Sequence, residues 1–211
     1  MVRHQKNAAP QLVYSGFSLI EVLVTIVILM VGLLGLAGLQ TRALTSQMES
    51  YQRSQALVLL KDMADRIDAN RLNASSYITT GLTPPYLGTD NALGNCAASG
   101  VAKDFCEWNN ALLGSAETQN AGGTNVGAMI GARGCIYQLQ APASGVAAVY
   151  QVVVSWQGLN ITAAPDNSTP TSVTVTSAGR CGLNLYRDRN GTVTETLHRV
   201  ISMPISVADL N

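Results

Sequence analysis

Residues 17–39 read FSLIEVLVTIVILMVGLLGLAGL, a stretch with apolar side chains on every face of a helix and Glu21 as its one charge. At 1.5 Å per residue such a helix reaches about 34 Å, which exceeds a hydrocarbon core of about 30 Å and predicts a membrane span. Beyond residue 39 the apolar positions thin to a stripe at Leu44, Met48, Tyr51, Leu59, Met63 and Ile67, with Gln55 in the same phase. That spacing predicts that the helix continues to residue 72 as an amphipathic half whose stripe faces a core. Asp62, Asp65, Arg66 and Asp68 fall on its other faces, and residues 70–76 (NRLNASS) supply a stop. Residues 81–133 are rich in Gly, Asn, Ser and Ala, with Pro84-Pro85 as a breaker, and predict loop with one short helix over 104–113. Strand-like runs follow at 134–141, 148–157, 171–177, 181–186 and 192–200, and Asn190-Gly191 predicts a tight hairpin between the last two. A long helix followed by strands is an α+β order, with an antiparallel sheet packed on the second half of the helix.

The chain is 47% hydrophobic but only 12% charged, against about 25% charged in an average globular protein. The apolar span accounts for that deficit. Thirteen basic residues balance thirteen acidic ones, so a nucleic acid held by overall charge is not an expected partner. Arg3, His4 and Lys6 precede the span, whereas Arg42 stands alone after it and Arg53 is the next base. The positive-inside rule therefore keeps the amino end in the cytoplasm and exports the remainder.

A cleaved secretory signal also begins with bases and an apolar run. Here the run is too long, and the small residues Gly35-Leu36-Ala37 lie inside it. A second boundary lies between Gly16 and Phe17, where a polar leader meets the first hydrophobic residue; a cut there removes the leader bases and keeps the helix. Glu21 then sits one turn from a new terminus. A carboxylate costs about 2.5–3.5 kcal/mol at the centre of a membrane helix and is usually functional there. A freed amine on Phe17 of one subunit could pair with Glu21 of a neighbour and cancel both charges within an apolar assembly.

Gly16-Phe17-Ser18-Leu19-Ile20-Glu21-Val22, followed by an apolar stretch, resembles the signal of type IV prepilins. The resemblance implies that a prepilin peptidase cuts between Gly16 and Phe17 and methylates the new Phe17 amine, and that Glu21 supports assembly. The continuation VGLLGLAGLQ, residues 31–40, looks like the PilV-type minor pilins, while pseudopilins of type II secretion share the signal. Together these imply a pilin-like fold divided into a leader (1–16), a transmembrane helix (17–39), its amphipathic continuation (40–72) and an exported globular domain (73–211). The implied role is that of a minor pilin taking part in pilus assembly and its priming. Its implied partners are other minor pilins, the major pilin, the peptidase and the inner membrane, and its destination is the pilus. The alternatives are a type II secretion minor pseudopilin and a pilus-tip adhesin or DNA-binding module.

Cys96, Cys106, Cys135 and Cys181 make an even count without a CxxC spacing, which in an exported domain favours disulfides over a metal. Three pairings are possible; Cys96 with Cys106 and Cys135 with Cys181 are preferred, the first closing a short loop and the second joining two sheet segments. No phosphate loop, nucleophile elbow or HExxH helix occurs, His198 is the one histidine beyond the leader, and neither an enzyme, a cofactor nor a metal is expected. His198 reads as a surface residue of the last hairpin, Asp188-x-Asn190-Gly191 as a plain turn, and Arg187, Arg189 and Arg199 as a solvated basic face.

Overall fold

The computed structural model describes residues 16–115, 129–167 and 175–208. The chain divides into two compact units, residues 1–46 and 47–211.

The first unit, where described, is the opening of helix α1, which spans Leu19–Ala69. The Ser18 carbonyl starts it by accepting from the N–H groups of Glu21 (3.0 Å) and Val22 (3.3 Å), and Glu21 in the first turn suits the positive end of the helix dipole.

In the second unit α1 turns a buried face of Gln52, Ala56, Leu60, Met63, Ala64 and Ile67 inward. This corrects the expected stripe. Met63 and Ile67 are core residues, but Leu44, Met48 and Tyr51 are exposed. The buried stripe runs through two alanines and a glutamine that a search for large apolar residues passes over. α1 gives way to a 3-10 segment, Arg71–Tyr77, kinked at Asn73, and the short helix α2 covers Val101–Leu112 after Gly100, whose φ is +62°.

The sheet has four antiparallel strands in the order β1 (Leu87–Gly88), β2 (Arg133–Gln140), β3 (Ala148–Gln157) and β4 (His198–Val207). Cys135 faces Val153 across β2 and β3, and Val153 faces Ser202 across β3 and β4. Alternation then sorts the side chains by face. Ile136, Tyr150, Val152, Val154 and Trp156 join Leu60, Met63, Ile67, Trp108 and Leu112 in the main core, with Ile201, Met203 and Ile205 packed against it. Cys135 and Val153 form a smaller cluster with Ala178 and Cys181. The expected α+β arrangement, a long helix on an antiparallel sheet, is the one found.

The carboxy-terminal strands differ from the expectation. Residues 171–174 lie outside the described residues, and Val175–Arg180 forms a 3-10 helix instead of a strand. Residues 181–184 form a turn, with positive φ at Gly182 (+80°) and Asn184 (+63°), and residues 185–186 are irregular, where a strand was expected. A Cβ at Gly182 would stand 2.7 Å from the Tyr186 hydroxyl and 2.9 Å from Ser155 Oγ, so only glycine fits there. Asn190-Gly191 does close a tight turn, with Gly191 N–H donating to the Asp188 carbonyl (3.0 Å), but its arms meet only in an isolated bridge between Arg187 and Val193. The strand placed at 192–200 begins at His198 and runs on to Val207.

Candidate processing and assembly site

Gly16 and Phe17 precede the first turn of α1 and are non-helical and exposed. A Cβ on Gly16 would meet nothing within 4 Å. Glu21 follows one turn into the helix, also exposed. Between Phe17 and Leu44 the large apolar side chains of α1 face outward, with no part of the apolar window buried. Among the described residues one helix, α1, is thus long and apolar enough to cross a membrane. Its hydroxyls suit an apolar surround: Thr25 donates to the Val22 carbonyl (2.8 Å), Thr41 to Ala37 (3.2 Å) and Thr45 to Thr41 (3.0 Å).

The second unit is held by polar contacts around its core. Arg66 on α1 donates to Asp62 (3.1 Å), and across to Asp104 (3.0 Å) and Glu107 (2.5 Å) on α2. Partial burial works against the Arg66 charge, but these three carboxylates outweigh it and hold the guanidinium pKa above its ordinary value. Its hydrogen bond likewise pulls Glu107 down. Trp108 Nε1 donates to the Leu59 carbonyl at 2.9 Å, which fixes α2 on α1. Gly134 lies under the Trp108 ring, where a Cβ would collide with the indole and with Leu112.

Cys96, in the loop before α2, bonds to Cys106 in the middle of that helix, and Cys135 bonds to Cys181 in the buried cluster on the opposite face of the sheet. The three arginines do not form one face. Arg199 is drawn onto Glu49 (3.5 Å), Thr162 Oγ1 (2.6 Å) and the Asn160 carbonyl, whereas Arg187 and Arg189 are exposed on the tight turn. Asp188 Oδ1 is taken up by the N–H groups of Asn190 (2.9 Å) and Thr192 (2.8 Å), so the acidic turn residue serves the backbone. His198 is a correction: it is 1% exposed, and its Nδ1 lies 2.6 Å from Glu195 Oε2.

Glu49 was not singled out from the sequence. Its Oε1 accepts from the backbone N–H groups of Leu159 (3.1 Å) and Asn160 (2.9 Å) and so pins that loop to α1. The sequence marks it only as an acid one turn before Arg53 on the same helical face.

Residues 13–37 match the prokaryotic N-terminal methylation motif, and residues 38–106 match the family described as Type IV pilin Tt1218. The chain is type IV prepilin-like. No curated protein and no solved structure matches it. In this prepilin-like chain the methylation motif covers the exposed Gly16–Phe17 bond, Glu21 and most of the apolar part of α1, and the pilin match takes over within the same helix and extends through Cys106. The combination supports a pilin or pseudopilin, a structural class of protein whose processing is done by a prepilin peptidase.

Proposed function

We propose that this chain is a minor pilin of a type IV pilus that takes part in initiating assembly. In this reading the peptidase removes residues 1–16 and methylates the Phe17 amine. Residues 17–39 hold the protein in the inner membrane, amino end inward, with the globular domain in the periplasm until it passes into the pilus with other minor pilins and the major pilin. The observation that carries the reading is the passage of a methylation motif directly into a pilin match along one helix, whose apolar stretch bears a single acid. Between protomers, the Glu21 carboxylate and the Phe17 amine each remove the other's desolvation cost, which neither could bear alone in an apolar bundle.

Three measurements test this. The mature amino terminus should read N-methylphenylalanine followed by SLIE; an intact leader on membrane-resident protein rejects the processing. Glu21→Val should leave processing in place and sharply reduce incorporation with partner pilins; undiminished incorporation rejects the charge-pairing role. Deletion of the chain should lower surface piliation, and a loss of protein secretion with normal pili would instead identify a secretion pseudopilin. The engagement of Arg199 by Glu49, apart from the exposed Arg187 and Arg189, favours the pilin reading over a tip DNA-binding module built on these three arginines.

A further inference from the structure

Residues 182–197 form a strap across the sheet face that lies away from α1. One end is staked by the Cys135–Cys181 disulfide, and the other enters β4 at His198. Near its carboxy-terminal end Gly158 and Thr162 N–H donate to the Leu197 (2.8 Å) and Thr196 (2.9 Å) carbonyls, and Gln157 Nε2 on β3 donates to the Arg187 carbonyl (2.8 Å); the middle of the strap is held through Tyr186 and Glu195. The Tyr186 hydroxyl lies 2.8 Å from Ser155 Oγ and 3.3 Å from the Gly131 carbonyl, and Thr194 N–H returns to the Tyr186 carbonyl at 3.0 Å. Glu195 is shared: Oε1 accepts from Asn184 N–H (2.7 Å), while Oε2 takes the proton on His198 Nδ1. The His198 ring packs on Tyr186 with centroids 4.7 Å apart, and Arg133 approaches the Tyr186 ring at 5.3 Å. Tyr186 is thus the common contact of a fixed cation and a titratable ring.

We propose that His198 is an acid-sensitive latch that lets the strap of residues 182–197 loosen from the sheet as the surroundings become acidic. The neutral ring suits its place: it is buried, donates through Nδ1, and beyond that makes only a loose contact with the Cys181 backbone that falls short of a hydrogen bond at Nε2. The charged and titratable groups facing it, among the described residues, are Glu195 on the adjoining turn, Tyr186 on the strap and Arg133 on β2. Burial, the largest effect, pushes the His198 pKa down, and Arg133 adds to this. Glu195 and the Cys181 backbone oppose the shift without reversing it. A histidine with a lowered folded pKa takes up its proton more readily once released, so stability is full above the ordinary imidazole value and falls below it. One linked proton permits at most a tenfold change in opening per pH unit.

The test is hydrogen exchange by mass spectrometry on the full-length chain in detergent micelles between pH 7.5 and 5, corrected for intrinsic exchange. Peptides from residues 182–197 should open more at each step below about pH 6.5, approaching tenfold per unit, while peptides from β2 and β3 stay protected. His198→Gln should remove that dependence. Glu195→Gln, which deletes the group favouring the imidazolium, should extend it to lower pH. Opening of the strap that is independent of pH in the parent, or a pH response that His198→Gln retains, overturns the latch. If His198→Gln does not fold, the Glu195→Gln shift decides alone, and an unchanged profile rejects the proposal.

Discussion

Replacing Cys135 and Cys181 by alanine should cost more stability than replacing Cys96 and Cys106, because the two bridges close loops of different size. The sequence separations are 46 and 10. In the chain-entropy treatment a closed loop of 46 residues stabilises by about 4 kcal/mol and one of 10 by about 2.7 kcal/mol, a gap of about 1.3 kcal/mol. Burial widens it: Cys135 and Cys181 are 1% and 0% exposed and pack against Val153, so their loss also leaves a void. The assay is urea unfolding of the full-length protein in detergent, followed by the fluorescence of Trp108 and Trp156, both buried in the second unit. With a slope of about 2 kcal/mol per molar urea, the Cys135/Cys181 variant should shift its midpoint down by about 2 M. The Cys96/Cys106 variant should shift visibly less. Equal shifts, or a larger one for the short loop, would refute both the loop argument and the placement of the long bridge in the cluster.

Three further outcomes follow from the same packing. Trp108→Ala should destabilise by about 3–5 kcal/mol in urea titration, since it empties the ring site and frees the Leu59 carbonyl from its extra donor. Gln52→Leu should stabilise by about 1 kcal/mol, because Gln52 is 4% exposed and its Oε1 has no partner, so an apolar group relieves a desolvated oxygen. The Arg133 guanidinium holds the Asp90 carboxyl below its ordinary pKa, so Asp90 contributes stability above that ordinary value and loses it as pH falls through the lowered one; Asp90→Asn should flatten this part of the acid limb in thermal melts taken from pH 5 to 2.

The legibility of the sequence varied with the range of the forces involved. α1, β2 and β3 are continuous runs whose period alone decides their type, and they stand where the pattern placed them. The buried phase of α1 was hidden because it runs through Gln52, Ala56 and Ala64, which a search for large apolar residues does not register. β4 extends past the expected end because Pro204 reads as a strand breaker inside an otherwise strictly alternating run, Ile201–Val207, while the polar residues before it mimic a strand. The order of residues 181–197 comes from a bridge to Cys135 and a ring on Ser155, contacts that no local pattern encodes. The N-terminal methylation motif, in contrast, is contiguous and was readable from the sequence alone. Glu49 was not, since its partners are backbone amides more than a hundred residues downstream.

The turn at residues 188–191 has a practical use. Arg187 and Val193 are paired across its base, so the two chain ends stay adjacent whatever joins them. Exposed tips with such closed bases accept added sequence at little entropic cost. A foreign epitope spliced between Asn190 and Gly191 would leave the helix-side core untouched, and the protein would serve as a carrier for peptide presentation.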